Sequence, residues 1–270
     1  MNTRIHQTLS KLRSQNRKAL SIFITAGYPS VTATPEIIGA VEEAGADIIE
    51  LGIPFSDPLA DGPTIQLASD RAIKNGVNVT TVFDIVMEIR KISQIPIILM
   101  GYVNPLIAFG LERFMQTASA CGVDGLIIPD IPVEESTAYR ALAHDHNLAP
   151  IFLSAPTTSD DRLRQIDMAS EGFVYCVSIT GVTGQSNGIP DTVKEYLQRC
   201  RNNITKNPVL VGFGISSGKN AHMLAPYADG IIVGSALIKI INNNRNKNYI
   251  APVKEFVKEL KKGLKLRESE

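Results

Sequence analysis

The sequence predicts an α/β protein built as a closed (β/α)8 TIM barrel, and two observations carry that prediction. Eight continuous apolar runs rich in Ile, Val and Leu follow one another along the 270 residues, as expected for parallel strands buried on both faces. Amphipathic stretches separate them, and regular strand–helix alternation indicates a parallel sheet. Eight units favour closure into a barrel, with an open doubly wound sheet as the alternative before motifs are considered.

The elements follow from these patterns in chain order. The predicted strands are Leu20–Ala26, Ala46–Ile53, Ile95–Tyr102, Asp124–Asp130, Leu148–Ala155, Phe173–Ser178, Pro208–Gly214 and Gly230–Ala236. The predicted helices between strands are Thr34–Ala44, Thr64–Lys74, Thr81–Lys91, Leu111–Ala120, Glu134–His146, Ser159–Ser170 and Pro190–Arg201. An extra N-terminal helix is predicted at residues 2–14, and a further helix follows the polar segment 242–248. Two helices therefore lie in the connection between the second and third strands, and one barrel domain is predicted to span residues 1–270.

Composition excludes several classes of protein. The chain carries 27 basic and 27 acidic side chains, which argues against a strong non-specific affinity for nucleic acid or anionic membranes. The three cysteines are widely spaced and form no CxxC pair, which predicts free thiols in a reducing compartment and argues against a zinc ribbon. The N-terminus is too polar for a signal peptide, and no apolar run reaches the ~18 residues of a membrane span. We therefore expect a cytoplasmic protein, or a plastid stromal one if an organelle genome encodes it.

The stretch from Glu50 to Pro63 is the strongest candidate for chemistry. Strand side chains alternate, so Ile48, Glu50 and Gly52 share one face of the second strand. The other face is wholly apolar and should pack against helices, which turns Glu50 towards the barrel axis. Burial there raises the pKa of a carboxyl group, so that it can give and take a proton near neutral pH. A salt bridge or a capped backbone turn is the structural alternative for Glu50.

Other acids follow strands as well. Asp61 lies in the turn Ala-Asp-Gly-Pro63, where it could pair with Glu50 in acid–base chemistry or could make an Asx-turn or a helix N-cap. Asp57, before Pro58, has the same two interpretations, and the structural one is stronger there. Asp130 closes a later apolar run and ranks third.

Three glycine-bearing turns follow the last three predicted strands, at Thr180–Gly184, Gly212–Ser217 and Gly234-Ser235. Backbone N–H groups at glycines can approach an anion closely, and a helix that begins after Gly234-Ser235 would direct its positive end at that anion. A phosphate site after the last two strands is frequent in barrels. Tight turns alone are the alternative explanation for each glycine taken separately.

Nucleotide-binding motifs do not match this region. Gly212–Ser217 lacks the third glycine of a dinucleotide fingerprint, and Gly218-Lys219 is followed by Asn220 rather than by Ser or Thr. The anion is therefore predicted to be a small phosphate ester and not ATP or NAD. Tyr102 and Tyr175, near the upper ends of the third and sixth strands, could line a pocket for a flat apolar group or could be ordinary barrel filling.

These motifs resemble one known family. The segment Leu51-Gly-Ile-Pro-Phe-Ser-Asp-Pro-Leu-Ala-Asp-Gly-Pro63, with Glu50 immediately before it, resembles the most specific motif of the tryptophan synthase alpha-subunit family. Matching segments in the expected order and spacing are Pro132-Val-Glu-Glu135, Gly181-Val-Thr-Gly184, Gly212-Phe-Gly-Ile-Ser-Ser217 and Gly234-Ser235. The resemblance covers nearly the whole chain. It implies a (β/α)8 barrel that cleaves indole-3-glycerol phosphate to indole and glyceraldehyde 3-phosphate, with no metal or organic cofactor.

The resemblance also implies residue roles. Glu50 would protonate the indole ring carbon and take the proton from the adjacent side-chain hydroxyl, while Asp61 would bind the ring N–H. Substrate binding would fall to Tyr102, Tyr175, Thr183, Gly184, Gly214, Gly234 and Ser235. The last four residues of that set would hold the phosphate, and the tyrosines would border the indole pocket.

A partner is implied by the same resemblance. In this family a β subunit carries pyridoxal phosphate and receives indole through a tunnel, in an α2β2 heterotetramer. The predicted contacts with that subunit are Asp57, Pro58, Asn104 and Pro105, and pyridoxal phosphate is expected only in the partner. After Gly184 the chain reads Gln-Ser-Asn-Gly-Ile-Pro190, without the basic residue often present in that loop. Loop closure and coupling to the partner are therefore left open, although the chemistry is not.

Two other functions stay open at the level of sequence. Another phosphate-ester-binding barrel enzyme of the same biosynthetic route, such as an isomerase, would explain the late glycines but not the paired acids. A non-catalytic subunit that only activates its partner would not need Glu50 and Asp61.

Overall fold

A computed structural model of the chain describes residues 3–177, 189–212, 214–245 and 248–265. Within these residues nine strands form one sheet. The strands are β1 (Ala19–Thr25), β2 (Ile48–Gly52), β3 (Ile97–Met100), β4 (Gly125–Ile127), β5 (Ala149–Ile151), β6 (Leu153–Ser154), β7 (Val174–Val177), β8 (Val209–Gly212) and β9 (Gly230–Val233).

The sheet is a barrel of parallel strands. Its order is β5-β4-β3-β2-β1-β9-β8-β7-β6, and β1 pairs with both β2 and β9. β5 and β6 are parts of one continuous strand, because only Phe152 separates them. β5 pairs with β4 and β6 pairs with β7, so the ring closes across this strand. The predicted (β/α)8 barrel is confirmed.

The predicted strand Leu148–Ala155 is interrupted at Phe152. The backbone N–H of Phe152 donates to the Ser170 hydroxyl at 3.2 Å and is thereby lost to the strand ladder. Phe152 also belongs to the outer core, while Ile151 belongs to the inner one. The chain thus continues in the same direction through Phe152, but its hydrogen-bond ladder is divided into a part that pairs with β4 and a part that pairs with β7.

Twelve α-helices lie in the described residues. They are α1 (Arg4–Ser14), α2 (Ala33–Glu43), α3 (Pro63–Lys74), α4 (Val79–Arg90), α5 (Val103–Phe109), α6 (Leu111–Cys121), α7 (Thr137–Asp145), α8 (Asp160–Ala169), α9 (Asp191–Asn203), α10 (Gly218–Leu224), α11 (Ser235–Asn243) and α12 (Ile250–Gly263). The additional helices predicted at the N-terminus, between the second and third strands and near the C-terminus are α1, α3 with α4, and α12.

The structure corrects several predicted boundaries. The predicted helix Glu134–His146 consists of a 3-10 turn at Val133–Glu135 followed by α7, since the Ser136 hydroxyl bonds back to the carbonyl of Val133 at 2.7 Å. The predicted third strand ends at Met100, so Tyr102 is the residue before α5 and not part of a strand. α5 and α10 were not predicted, because short helices after barrel strands leave little periodicity to detect.

Two apolar layers build the core. The inner layer consists of strand side chains that point towards the barrel axis. α1 closes the base of the barrel, where it adds Ile5, Leu9 and Leu12 to these inward residues. The outer layer lies between the strands and the surrounding helices. Among the described residues, none of the helices has the length and apolarity that a membrane crossing requires.

Candidate active site

A cavity of about 640 Å³ opens at the carboxyl ends of the strands. Its position follows from its walls, because Met100, Val177 and Gly212 are the last residues of β3, β7 and β8. Barrel enzymes place their active sites at this end. The remaining lining residues are Phe23, Ala60, Asp61, Gly62, Ile65, Pro129, Leu153, Tyr175, Gly214, Ile215, Ser216, Ile232, Gly234, Ser235, Ala236 and Lys239.

Strand glycines make room for the two aromatic rings in this cavity. A methyl group on Gly52 would lie 2.5 Å from the ring of Phe23, and one on Gly212 would lie 2.7 Å from the Tyr175 hydroxyl. Each ring therefore lies across a neighbouring strand at a position where any larger residue would push it away. The structure places Tyr175 in the cavity wall, so of the two interpretations left by the sequence, pocket lining is the one it supports.

Glu50 is completely buried and faces the barrel interior, as its strand register predicts. It lies between Phe23 of β1 and Ile98 of β3 in the ladder. Its Oε1 atom accepts a hydrogen bond from the Ser21 hydroxyl at 2.7 Å, while Oε2 has no partner among the described residues. Burial raises the pKa of Glu50 to about 8, against the smaller opposing effect of Ser21. No salt bridge to a described residue accounts for this acid.

Glu50 does not line the cavity, although its ladder neighbour Phe23 does. The carboxyl group therefore lies behind the cavity wall. One of its oxygens is hydrogen-bonded, and the other has no partner among the described residues. A buried carboxyl group without a full set of hydrogen bonds favours its neutral, protonated form. The arrangement is that of an acid that carries a proton at neutral pH.

Asp61 is held over the cavity by Tyr102. The Tyr102 hydroxyl donates to Oδ2 of Asp61 at 3.3 Å and accepts the N–H of Ala60 at 2.9 Å. Burial raises the pKa of Asp61, while the bond from Tyr102 lowers it. Burial, and then the charge of Asp61, raise the pKa of Tyr102 to about 12, so that the phenol keeps its proton. The residue that caps α3 is Gly62, so Asp61 is not the helix cap that the sequence left open.

Tyr175 relates the two acids to each other. Its pKa is raised by burial first and then by the negative charges of Glu50 and Asp61. The phenol therefore lies within electrostatic range of both carboxyl groups. One side chain in the cavity wall thus lies near an acid on a strand and another on a loop.

The far side of the cavity is suited to an anion. Gly234 immediately precedes α11, and Gly234 and Ser235 both line the cavity. The first N–H groups of a helix have no partner within it, and they carry the positive end of the helix dipole. Gly214, with φ of 62°, adopts a left-handed backbone that glycine tolerates without strain. Two further predicted substrate residues, Thr183 and Gly184, lie outside the described residues.

Lys239 and Ser21 were missed by sequence reasoning. Lys239 lies four residues after Ser235 on α11 and lines the same end of the cavity. Residues four apart share a helix face, and that spacing was the available signal. Ser21 lies two residues before Phe23 on β1 and so faces inward as well, but nothing in its sequence context marks it as the partner of Glu50.

Two of the four residues predicted for partner contact line a separate surface groove of about 310 Å³, next to the cavity. Asp57 and Asn104 both line it, together with Leu59, whose side chain is 94% exposed. Of the other two, Pro105 is partly exposed and Pro58 is buried. Asp130 accepts the backbone N–H of Val103, the first residue of α5, at 3.0 Å. This hydrogen bond gives Asp130 a structural role.

The fold and the site together define a barrel of the enzyme class, with two acids of raised pKa beside a cavity at whose far side a helix begins. Among the described residues, no group of three or more His, Cys, Asp or Glu side chains is placed to hold a metal ion. The chain matches the family model described as tryptophan synthase alpha chain over residues 9–265.

Known proteins of that description are similar over nearly their full length. The tryptophan synthase alpha chain of Geobacter sulfurreducens is 45% identical over 97% of this chain and 99% of its own. That of Petrotoga mobilis is 46% identical over 92% of this chain and 96% of its own. The crystal structure of tryptophan synthase subunit alpha from Legionella pneumophila is 36% identical, with a TM-score of 0.91 over 98% of this chain and 99% of the other.

The chain belongs to the tryptophan synthase alpha chain family. It is a lyase of tryptophan biosynthesis that cleaves indole-3-glycerol phosphate to indole and glyceraldehyde 3-phosphate.

Proposed function

We propose that Glu50 is the proton carrier of this cleavage and that Asp61 stabilises the charge that develops on the indole ring. The observation that carries the proposal is the environment of Glu50, which is completely buried, has one hydrogen bond and has a pKa of about 8. A general acid is most useful when its pKa lies near the working pH. Glu50 can therefore hold a proton before the reaction and accept one during it.

The reaction is a retro-aldol cleavage, and it balances with one proton carrier. Glu50 gives its proton to the ring carbon that bears the side chain, which leaves the ring as a cationic indolenine. The carboxylate then takes the proton of the hydroxyl on the adjacent carbon. The electrons of that O–H bond form the aldehyde carbonyl, and the electrons of the carbon–carbon bond return to the ring. To reach the substrate, the carboxyl group leaves Ser21 and turns past Phe23 into the cavity.

Asp61 is suited to the ring nitrogen. Its carboxylate faces the cavity from the loop before α3, and Tyr102 holds it in place. Protonation of the ring carbon places positive charge on the ring N–H, and a carboxylate hydrogen-bonded to that group stabilises it in the transition state. Two acids in different environments thus take two different roles.

Positive and polar groups at the other end of the cavity would hold the phosphate. The N–H groups that begin α11, the Ser235 hydroxyl and the backbone near Gly214 supply hydrogen bonds, and Lys239 supplies a positive charge. Tyr102 and Tyr175 would border the indole ring. Thr183 and Gly184 stay predicted members of this site.

The test is indole release from indole-3-glycerol phosphate by the purified chain and by two isosteric variants. We expect Glu50→Gln to lose turnover by about 10²–10⁴-fold, because the amide cannot carry the proton, and Asp61→Asn to lose about 10²–10³-fold. Both variants should still bind the phosphate ester. Glu88→Gln, on the exposed face of α4, is the matched control and should keep full activity. Turnover that survives Glu50→Gln unchanged would refute the proton-carrier role.

We also propose that the chain works in an α2β2 heterotetramer with a β subunit. The reaction above needs no metal and no organic cofactor, so pyridoxal phosphate is assigned to the partner. The groove lined by Asp57, Leu59 and Asn104 lies beside the cavity, and its exposed leucine supplies apolar area for a partner to cover. One domain over residues 1–270 and a cytoplasmic location belong to the same proposal.

Replacement of Leu59 by Lys tests this surface. We expect the variant to bind a tryptophan synthase β subunit more weakly while it retains its own indole release. Ile92→Lys, at another exposed apolar residue, is the control. Equal affinity of the two variants for the β subunit would place the contact elsewhere.

A further inference from the structure

A second cavity, called here the basal cavity, lies at the amino ends of the strands, opposite the candidate active site. It measures about 260 Å³ and is bounded by the end of α1, the connection from α9 to β8, and Asp229 before β9. Its floor is apolar, with Leu9 and Leu12 of α1 beside Ile204 and Pro208. Nothing in the cleavage of indole-3-glycerol phosphate uses this end of the barrel.

Four cationic side chains line the basal cavity: Arg13, Arg17, Lys18 and Arg201. Asp229 is the single carboxylate among the described lining residues, so the walls carry a formal charge of +3 in a chain whose net charge is zero. None of the four cations makes an ion pair with a described residue. Oδ2 of Asp229 already accepts the backbone N–H of Val209 at 2.9 Å. The charge of the cavity is therefore concentrated and largely uncompensated.

These cations retain hydrogen-bond donors for a ligand. One guanidinium nitrogen of Arg17 donates to Gln15 at 3.0 Å, and one of Arg201 donates to the carbonyl of Pro226 at 2.7 Å. A guanidinium group has five N–H donors, so each of these neutral contacts holds the side chain and leaves further donors available. Lys18 is half-buried, and both burial and the charge of Arg201 lower its pKa while Asp229 raises it. The attraction of Asp229 outweighs the repulsion from Arg201, and an anion bound here would act on Lys18 in the same direction as Asp229.

Helix ends explain only part of the cluster. Arg13 lies in the last turn of α1 and Arg201 in the last turn of α9, where a positive charge complements the helix dipole. Arg17 and Lys18 lie outside any helix, and they bring two further positive charges to the same cavity. Arg13, Arg17 and Arg201 are exposed, so the four positive charges lie around an opening that an anion can reach from solvent, where it would be attracted by all of them.

We propose that the basal cavity is a second anion site, which binds a small phosphate-bearing molecule. Arginine side chains match the geometry of phosphate oxygens through paired N–H donors. A volume of about 260 Å³ holds a phosphate group with a short organic part, whereas a dinucleotide is too large. The apolar floor suits the carbon atoms of such an ester. Walls from three separate parts of the chain form a small concave site that opens to solvent, and its size favours a small ligand over a nucleic acid strand.

Methyl NMR of the full-length protein tests the proposal, with inorganic phosphate and glycerol 3-phosphate as separate probes. The methyl groups of Leu9 and Leu12 report on the basal cavity, and those of Ile232 report on the active-site cavity. We expect both probes to shift the Leu9 and Leu12 signals at millimolar concentration. Stronger binding of glycerol 3-phosphate would assign the site to esters, and equal binding would assign it to the free anion; both outcomes support an anion site.

Charge-removing variants complete the experiment. We expect Arg13→Gln combined with Arg201→Gln to weaken binding at Leu9 and Leu12 by about 10- to 100-fold. The Ile232 titration and indole release should stay unchanged, which shows that the barrel is intact. Arg17→Gln is a second variant with the same expected direction, in case the double variant does not fold. The pair Arg245→Gln and Lys262→Gln, at exposed positions outside both cavities, is the matched control.

Three results would overturn the proposal. The first is that the Leu9 and Leu12 signals do not respond to either probe. The second is that the basal variants and the control pair bind equally well. The third is that a short single-stranded oligonucleotide displaces phosphate and shifts signals across the neighbouring surface, because that would make the cluster a polyanion surface rather than a small-ligand site.

Discussion

The hydroxyl of Ser21 donates a hydrogen bond of 2.7 Å to Oε1 of Glu50, inside a barrel interior where both residues have no exposed surface. The two side chains come from adjacent strands and face the same axis. This bond stabilises the ionised carboxylate and so opposes the effect of burial, which raises the pKa of Glu50 to about 8. The proton affinity of the acid is therefore set by burial and moderated by one hydroxyl group.

Removal of that hydroxyl should make Glu50 a weaker acid. Ser21→Ala leaves the carboxylate without its donor, so we expect the pKa of Glu50 to rise by about one further unit. The pKa seen in the pH profile of kcat/KM for indole release should move to higher pH by the same amount. Ser136→Ala, which removes another buried and hydrogen-bonded hydroxyl, is the control for a general loss of packing. Superimposable profiles would contradict the assignment of that pKa to Glu50.

Glu50 should also make stability depend on pH. Its folded-state pKa of about 8 exceeds the ordinary value of 4.5, so the folded protein binds this proton more tightly than the unfolded chain does. Its contribution to stability is complete below pH 4.5 and is lost as the pH rises through about 8. Relative to Glu50→Gln, the wild type should lose roughly 2–5 kcal/mol of unfolding free energy across that interval.

Urea unfolding at several pH values measures this difference. The comparison of slopes is independent of any constant cost of the buried amide. Glu88→Gln, at an exposed position, should reproduce the slope of the wild type. Parallel curves for wild type and Glu50→Gln would show that the carboxyl group ionises as easily in the folded state as in the unfolded one.

Loss of the Tyr102 hydroxyl should affect Asp61 in two ways. In Tyr102→Phe the carboxylate loses a donor, so its pKa rises, and the N–H of Ala60 loses its acceptor, so the loop is held less firmly. We expect kcat/KM to fall by about tenfold at neutral pH, with the acidic limb of the pH profile moved to higher pH. Tyr249→Phe removes a phenol hydroxyl at the residue before α12, which does not line the active-site cavity, and should change neither quantity. An unchanged acidic limb in Tyr102→Phe would separate this bond from the function of Asp61.

Lys239 should act on the phosphate and not on the bond that breaks. Lys239→Gln is expected to raise KM for indole-3-glycerol phosphate by about 10- to 100-fold, with a much smaller change in kcat. Lys239→Arg should restore most of the loss, because the charge is retained. Indole-3-glycerol, which lacks the phosphate, should be cleaved equally by wild type and variant. A parallel loss on both substrates would show that the lysine supports the structure of α11 instead.

The barrel was predictable because the patterns that indicate it, apolar runs and side-chain alternation, lie within single segments of the chain. Alternation of side chains along β2 placed Glu50 on the axis, and buried acids seldom occur there without a function. The continuous apolar runs identified every strand position, although β5 and β6 read as one strand. The break between them depends on the hydroxyl of Ser170, which comes from another element and leaves no trace in the run itself.

The contacts that tune the site were not predictable. Tyr102 was expected at the end of a strand, but it is the residue before α5, and its hydroxyl reaches a loop 41 residues earlier in the chain. Ser21 and Glu50 are 29 residues apart and meet only through strand pairing. Lys239 looks like any solvated lysine on an amphipathic helix until the position of α11 over the cavity is known. To predict any of these contacts, one must know how two separate elements are placed against each other, and a single sequence does not give that placement.

The seal that α1 makes at the base of the barrel bears on the order of folding. Ile5 abuts Gly125 and Gly172, and a methyl group on either glycine would lie 3.0 Å from it. These glycines are separated from the helix by more than a hundred residues of chain. α1 precedes the strands in the chain, so it has no docking surface until strands from both halves of the barrel are in place. We expect α1 to dock late and contacts of such long range to slow folding, so that an early event in synthesis becomes a late event in assembly.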